Sequence, residues 1–315
     1  MSPPLKKALD VLTVGEPMAL FSALTPGPLD EVTDWRRSTA GAELNVAIGL
    51  ARLGLKVGYL SRVGDDSFGR GVLAALAREG VSREWVRVDA AHRTGFMLKA
   101  RAEQGADPAI EYHRTGSAAS HLGVADAPGA DCAHGWLHLS GVAAAVSDSL
   151  RELVLELAVR ARAAGRRVSF DPNLRPQLWP SPAAMASALN TLAAHADLVM
   201  PGLAEGRFLT GLQRPEEIAD WYLDHGAQQV AIKLGPQGAY VSERGGPRGL
   251  LPGIAVAQVI DTVGAGDGFA VGVISGLIDG LPLDQAAERG NRIGARVVQF
   301  PGDSDGLPTR AQLGA

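Results

Sequence analysis

A glycine-rich segment near the C-terminus contains the residues with the clearest chemical potential. It reads DTVGAGDGFA over residues 261–270, and an apolar, helix-forming stretch follows at once. Small residues let the backbone turn tightly, and a helix N-terminus presents free N–H groups and a partial positive charge. The segment therefore predicts an anion site. Within it, Asp267 is placed to accept a proton from a hydroxyl, which would then attack a phosphorus atom whose charge the amides stabilise.

Two common classes of glycine-rich phosphate loop do not fit this segment. A dinucleotide-binding fingerprint, G-x-G-x-x-G, would continue Gly264 and Gly266 with a third glycine where the chain has Phe269. A P-loop needs G-x-x-x-x-G-K-[ST], which the chain does not contain. What remains is a phosphate site without a P-loop lysine, or a plain tight turn in which Asp267 caps a helix.

The composition limits the classes of protein to which the chain can belong. Its 315 residues are 46% hydrophobic and 20% charged, with a net charge of −4, which suits a globular protein and disfavours nonspecific nucleic-acid binding. A single cysteine, Cys132, excludes an intrachain disulfide and indicates a reducing compartment. The histidines lack zinc-site spacing. No uncharged apolar stretch suits a membrane span, so we expect a cytoplasmic protein without nucleic-acid or membrane partners.

Strand-like and helix-like segments alternate along most of the chain and would position the glycine-rich turn. Short β-branched runs are followed by longer helical stretches that end at glycine, as in Ala42–Leu53 before Gly54 and Asp148–Ala164 before Gly165. This alternation predicts the α/β class, with a parallel sheet covered by helices on both faces.

Two segments, at about residues 30–40 and 94–117, depart from this alternation. They carry short alternating patterns and lack a following helix. We interpret them as antiparallel strands of a small lid, inserted into a single domain that spans residues 1–315; ordinary surface hairpins are the alternative. Because exposed strand edges often pair with another subunit, we expect a homo-oligomer, at least a dimer, through the lid.

Several segments in the same order resemble the ribokinase-like (PfkB) carbohydrate kinase family: GAELNVA at 41–47, VGDDSFG at 63–69, and the glycine-rich turn. The resemblance covers nearly the whole chain. It implies a three-layer α/β/α fold with a mostly parallel central sheet and a small β lid. It also implies phosphorylation of a sugar hydroxyl by ATP with Mg²⁺, and a monovalent cation such as K⁺ near the site. By resemblance, Asp267 is the catalytic base, and the amides of Gly264, Ala265 and Gly266 form the anion hole.

Four further segments resemble kinases of 2-keto-3-deoxygluconate within that family: GEPM at 15–18, EYHRTGSAAS at 111–120, HLSG at 138–141 and SFDPNLR at 169–175. Such a sugar acid carries a carboxylate, which planar guanidinium groups bind well. The resemblance implies that the substrate is contacted by Gly41, Asn45, Tyr112, Arg114, Arg175 and Asp303.

The nucleotide side of the predicted site is less distinctive. Lys233, Gly235 and Gly238 belong to a turn after a strand and are candidate ATP contacts, although a hairpin turn explains the two glycines nearly as well. Asn291 resembles a family position near the nucleotide. Glu205 is expected to act on magnesium through water, or else only to favour a helix start.

Two features leave other specificities and classes open. Met97 stands where related kinases of this sugar acid commonly have tyrosine, and Gly202 stands where the family motif around Glu205 has asparagine. A fructokinase, a ribokinase or a kinase of the galactonate epimer would use the same chemistry. A regulator that binds sugar or nucleotide without catalysis, and an NAD-dependent oxidoreductase, are the alternatives from other classes.

Overall fold

The computed structural model of the chain describes residues 8–101, 108–129 and 132–314. Over these residues the strands, in chain order, are β1 Leu9–Val14, β2 Met18–Ala23, β3 Trp35–Ala40, β4 Val57–Gly64, β5 Val86–Asp89, β6 Phe96–Lys99, β7 Ile110–His113, β8 His134–Ser140, β9 Arg167–Asp171, β10 Leu198–Val199, β11 Gln229–Lys233, β12 Gly238–Glu243 and β13 Arg248–Pro252.

The α-helices over the same residues are α1 Ala42–Arg52, α2 Ser67–Arg78, α3 Gly141–Val146, α4 Asp148–Ala163, α5 Pro182–Ala194, α6 Leu203–Thr210, α7 Pro215–Asp224, α8 Ala265–Ile278, α9 Leu283–Val297 and α10 Arg310–Leu313. None of the helices in the described part of the chain has the length and apolar character to cross a membrane.

The large sheet has the strand order β13-β12-β11-β10-β9-β8-β1-β4-β5. Its strands pair in parallel from β11 to β5, and the β11–β12 and β12–β13 pairs are antiparallel, so that β12 alone runs against the other strands of this sheet. Because side chains alternate across a strand, β1 sends Leu12 and Val14 into one core and Val11 into the other. Helices α3–α7 pack on the first face, and α1, α2, α8 and α9 on the second. The predicted α/β class, with a mostly parallel sheet between two helical layers, is confirmed.

A small second sheet has the order β3-β2-β6-β7. Strands β2–β3 and β6–β7 pair antiparallel and β2 pairs in parallel with β6, so the strands of the two predicted segments, β3, β6 and β7, alternate in direction as expected. Strand β2 was not predicted, because its residues directly follow the first strand without a turn signal other than Pro17. One face of this sheet packs its own apolar cluster, which includes Met18, Leu20 and Met97, and so roofs a cavity over the large sheet.

Candidate active site

The glycine-rich turn becomes the N-terminus of α8. Gly264 is the N-cap residue, with a φ of 85° that favours glycine, and no side chain in the described part of the chain caps this helix. Within the described residues, the amides of Gly264 and Gly266 have no hydrogen-bond partner, while that of Ala265 makes only a 3.4 Å contact with the Thr262 carbonyl. The turn therefore offers free N–H groups to an anion.

Asp267 lies in the first turn of α8, because the helix begins at Ala265, three residues before the helix that the apolar pattern predicts over Gly268–Gly280. Its carboxylate is buried and accepts a hydrogen bond from Asn45 Nδ2 at 2.8 Å. It does not cap the helix, so the plain-turn alternative does not account for it. Burial raises the pKa of Asp267 to about 8; the Asn45 hydrogen bond opposes this shift, and the nearby Asp171 adds to it. A carboxyl with such a pKa is well matched to proton transfer near neutral pH.

A cavity of about 480 Å³ lies between the small sheet and the glycine-rich turn. All the residues predicted to contact the substrate line it, together with Asp267; they are Gly41, Asn45, Tyr112, Arg114, Arg175 and Asp303. The Oδ1 atom of Asn45 is buried without a hydrogen-bond partner among the described residues. A buried polar atom in that state is costly, so a hydroxyl donor in the cavity would stabilise it.

The two arginines of this cavity differ in their electrostatic state. Arg114 is buried, and its Nε donates to Glu16 Oε2 at 2.7 Å, so its charge is already balanced. Within the described parts of the chain, Arg175 forms no ion pair with Asp171 or any other carboxylate. Its Nη1 donates to the Leu174 carbonyl and to Asn173 Oδ1, at 2.7 and 2.6 Å. Arg175 therefore carries the charge that is free to meet an anion.

Asn173 gives Arg175 its orientation. It adopts a φ of 39°, the left-handed region that asparagine tolerates better than most residues. Its backbone amide donates to Asp171 Oδ1 at 3.2 Å. Sequence reasoning recognised the surrounding motif but did not assign a role to Asn173, although an asparagine after Asp-Pro is a turn signal.

A second cavity, of about 670 Å³, lies on the other side of the α8 N-terminus. Five of the six predicted nucleotide contacts line it: Lys233, Gly235, Gly238, Gly266 and Asn291. The sixth, Gly264, lines the first cavity instead. Gly238 has a φ of 103°, and a Cβ there would lie 2.1 Å from the Leu251 carbonyl oxygen, so only glycine fits this turn. Much of the remaining wall is apolar, as a flat aromatic base requires; it includes Ile254, Val256, Val259, Phe269 and Val298.

Lys233 lies where the two cavities meet, and it lines both of them together with Thr262 and Gly266. Its Nζ donates to Asp171 Oδ2 at 2.6 Å, and a Cβ built on Gly266 would lie 3.5 Å from that Nζ. Burial disfavours the charge of Lys233, but the carboxylates of Asp171 and Glu205 outweigh it and hold its pKa above the usual value. A cation thus lies beside the free amides of the turn.

Glu205 lies outside both cavities. One carboxylate oxygen accepts from the Gly202 amide at 2.6 Å and the other from the Leu174 amide at 2.8 Å, so the side chain links the start of α6 to the loop after β9. Among the described residues, no group of three or more His, Cys, Asp or Glu side chains is arranged to bind a metal directly.

Three charged residues of this region were not predicted from the sequence as site residues. Glu16 neutralises Arg114, Asp171 pairs with Lys233, and Lys99 of the small sheet lies behind the glycine-rich turn. For Asp171 a signal exists, because it ends a buried parallel strand at the edge where α/β proteins bind ligands. For Glu16 and Lys99 the only signal is a charge within an apolar segment.

Comparison with known proteins gives a consistent result over the whole chain. Residues 8–310 match the sequence model of the pfkB family carbohydrate kinases. A 2-dehydro-3-deoxygluconokinase of Bacillus subtilis is 49% identical over 308 residues, which is 97% of this chain and 94% of the relative. The crystal structure of a PfkB protein from Polaromonas sp. JS666 is similar, with 51% identity, a TM-score of 0.90 and coverage of 98% and 100%. A Vibrio cholerae fructokinase with fructose, ADP and calcium bound is 28% identical, with a TM-score of 0.84 and coverage of 97% and 98%.

Proposed function

This chain belongs to the pfkB family of carbohydrate kinases, and from that premise we propose that it transfers the γ-phosphate of ATP to the terminal hydroxyl of 2-keto-3-deoxygluconate, giving the 6-phosphate. The same compound is called 2-dehydro-3-deoxygluconate in the name of the Bacillus subtilis relative. The observation that carries the proposal is the meeting, in one cavity, of the buried Asp267 with the unpaired guanidinium of Arg175. The first group suits a hydroxyl acceptor, and the second suits a carboxylate.

The acceptor end of the reaction is assigned to Asp267 and Asn45. Asp267 takes the proton of the terminal hydroxyl as its oxygen attacks the γ-phosphorus. The hydrogen bond from Asn45 Nδ2 orients the carboxylate, and the partnerless Asn45 Oδ1 accepts from a sugar hydroxyl. Both residues are buried, which favours the exclusion of water from the reacting oxygen.

The charge that develops on the transferred group is assigned to the glycine-rich turn. The free amides of Gly264 and Gly266, together with the long-bonded amide of Ala265, point from the α8 N-terminus and stabilise the oxygens of the moving phosphoryl group. Lys233 adds a full positive charge beside Gly266. Gly235, Gly238 and Asn291 line the cavity that we assign to the rest of the nucleotide.

A divalent cation accompanies the nucleotide in kinases of this type; in the structure of the Vibrio cholerae fructokinase, calcium is bound together with ADP. The residues present fit Mg²⁺ that is held mainly by phosphate oxygens and water. Each carboxylate oxygen of Glu205 accepts one hydrogen bond from a backbone amide and can accept a second one from a metal-bound water. When bound, the ion neutralises charge on the phosphates. Glu205 is the residue we assign to it, through water.

The sugar acid is oriented by charged and polar side chains that line the same cavity as Asp267. Arg175 binds its carboxylate, because that guanidinium is not engaged by any described carboxylate. Arg114 contributes hydrogen bonds from a position that Glu16 has already neutralised, while Tyr112 and Asp303 contact the chain of hydroxyls. Met97 lies opposite Tyr112 in the small sheet and supplies an apolar contact.

Replacement of Arg175 tests the substrate assignment. For Arg175→Ala we expect kcat/KM with 2-keto-3-deoxygluconate to fall about 100-fold, and kcat/KM with the neutral sugar fructose to change less than about threefold, because only the acid loses a charge-assisted contact. Arg175→Lys should lie between, since it keeps the charge and loses the planar fork. A coupled assay of ADP release over a panel of sugars provides the measurement.

The control for this series is Arg70→Ala, because the Arg70 side chain is 66% exposed and pairs with Asp65 at the surface. It should leave both activities unchanged. Faster turnover of fructose or ribose than of the sugar acid by the unmodified protein would reject the substrate assignment, and would leave the kinase chemistry intact.

Replacement of Glu205 tests its proposed link to magnesium. Glu205→Gln should raise the Mg²⁺ concentration for half-maximal activity about threefold to tenfold, because an amide polarises a bound water less than a carboxylate does. Titration of Mg²⁺ at saturating ATP measures this. The matched control is Glu217→Gln: Glu217 holds the same third position in α7 and accepts from the Arg214 amide. A loss of thermal stability in both variants with unchanged magnesium dependence would reduce Glu205 to a helix cap.

We also propose that the chain acts as one kinase domain in the cytoplasm and assembles at least into a dimer through the small sheet. Among the described strands, β3 and β7 end that sheet, and exposed strand edges favour association. A monomeric mass by light scattering at micromolar concentration would contradict the assembly.

A further inference from the structure

A buried ion cluster lies behind the glycine-rich turn, and the proposed reaction gives no role to its lysine, Lys99. Lys99, the last residue of β6, has a side chain only 2% exposed. Its Nζ lies 2.5 Å from Asp261 Oδ2 and 2.7 Å from Asp303 Oδ1. Both carboxylates are also buried. Burial lowers the pKa of Lys99, but the attraction of Asp303 and Asp261 outweighs it, so the ammonium stays charged.

Each of the two carboxylates is connected to the turn. The other oxygen of Asp261 accepts from the Val263 amide at 3.0 Å, which sets the backbone just before Gly264. The backbone of Asp303 packs directly against Gly264, since a Cβ on that glycine would lie 2.3 Å from the Asp303 carbonyl oxygen. The ammonium thus holds the first residue of the glycine-rich segment and the residue that supports its N-cap.

The ammonium also spans two parts of the fold. Lys99 comes from the small sheet, which roofs the sugar cavity through Met97 and Tyr112. Asp261 lies in the segment before α8, and Asp303 lies in the segment after α9. Without Lys99, two buried carboxylates would face each other next to the amides that must receive an anion. An uncompensated buried charge of that kind is strongly destabilising and would disturb the local backbone.

On the basis of the proposed phosphoryl transfer, we propose that Lys99 is a positioning residue: its ammonium fixes the anion-hole turn to the small sheet and so holds the Gly264 and Gly266 amides in their working geometry. Lys99 itself does not line the cavities that we assign to sugar and nucleotide. Its removal should therefore lower kcat and leave nucleotide binding largely intact.

The test compares Lys99→Met with the double variant Lys99→Met/Asp261→Asn, which restores the net charge of the cluster. The single variant should lose about 10 °C in Tm and about 100-fold in kcat. The double variant should recover most of the Tm, but its kcat should stay at least about tenfold low, since the bridge to the turn is still missing. The KM for ATP should change less than about threefold in both. Lys56→Met, at an exposed lysine, is the control and should change none of these values.

Chemical rescue gives a second readout that a purely structural role would not move. In Lys99→Ala, added propylammonium should raise kcat several-fold, and neutral propanol should not. Recovery of both Tm and kcat in the double variant, or equal responses to propylammonium and propanol, would overturn the proposal.

Binding of a transition-state mimic separates this inference from the proposed function. ADP with aluminium fluoride should bind Lys99→Met at least about tenfold more weakly than the unmodified protein, and ADP alone should bind equally. This measurement does not depend on which sugar is phosphorylated. If the unmodified protein phosphorylates no sugar, the proposed function is wrong. If Lys99→Met and the unmodified protein bind ADP with aluminium fluoride equally tightly, the proposed role of Lys99 is wrong.

Discussion

Asp267→Asn should lower kcat by about three orders of magnitude or more, with nucleotide affinity within about threefold of the unmodified protein. The amide keeps the shape of the side chain and can still contact Asn45, but it cannot take the proton of the acceptor hydroxyl. Single-turnover assays and calorimetric titration with an ATP analogue measure the two effects. Turnover within tenfold of the unmodified protein would remove Asp267 from the role of base.

The same substitution should raise thermal stability at alkaline pH. The folded-state pKa of Asp267, about 8, lies above its ordinary value of 3.8, so the folded protein binds the proton more tightly than the unfolded chain. Below pH 4 the Asp267 carboxyl is protonated in both the folded and the unfolded state, so folding buries no charge there. As the pH rises towards 8, the unfolded chain releases this proton and the folded protein keeps it, so the free energy of unfolding falls. Asparagine does not ionise, so the Tm of the variant should exceed that of the unmodified protein increasingly from pH 5 to pH 8.

Asp279→Asn is the control with the opposite sign. Asp279 is partly exposed and pairs with Arg289 and Arg310, which hold its pKa below the usual value, the Arg310 hydrogen bond most of all. The ionised Asp279 stabilises the folded protein above pH 4 through these ion pairs. The substitution should therefore lower the Tm at pH 8 slightly and leave kcat unchanged. A fall in Tm for Asp267→Asn at pH 8 would contradict the burial argument while leaving the kinetic one standing.

Gly264→Ala should lower kcat by about 100-fold to 1000-fold, because the new Cβ would lie 2.3 Å from the Asp303 carbonyl oxygen and force the anion-hole turn to move. The atoms it meets belong to the backbone rather than to the end of a flexible side chain, so the backbone itself must shift. We also expect a lower Tm. Steady-state kinetics and thermal unfolding report both results.

Gly280→Ala separates backbone strain from this steric contact. Gly280 has the same φ of 85° as Gly264, but a Cβ there meets nothing within 4 Å. Gly280→Ala should lower the free energy of unfolding by about 1 kcal/mol, because alanine is strained in this backbone conformation, and should leave kcat unchanged. Equal kinetic losses in the two variants would mean that the turn is not the place where charge is stabilised.

Local motifs were the part of the site that could be predicted from the sequence. The α8 N-terminus follows from a run of glycines before an apolar helix, and its chemistry depends on neighbours within a few residues. The residues around Asn45 and Asp303 could be assigned to the same cavity only by resemblance, because Asn45 and Asp267 are 222 positions apart. Physical reasoning on spacing alone does not bring such residues together.

The charge balance of the site could not be predicted. Two arginines looked equally suited to a carboxylate, yet Arg114 is neutralised by Glu16, 98 positions away, and Arg175 is not paired in this way. Lys99 meets Asp303 across 204 positions. Such pairs depend on which elements the fold places side by side, and no local signal in a single sequence indicates which charges will pair. Short strands such as β5 and β13 were missed for a related reason, because edge strands carry weak apolar patterns.

The shared wall of the two cavities has a consequence for the stereochemistry of the reaction. Under the proposed assignment, donor and acceptor reach the same phosphorus from two cavities whose linings share, among the described residues, Thr262, Gly266 and Lys233. Their oxygens therefore face each other across the migrating group, which fits a single displacement without a phosphorylated enzyme. Chirally labelled γ-thiophosphate should emerge with inverted configuration, and initial-rate patterns should intersect, as a ternary complex demands.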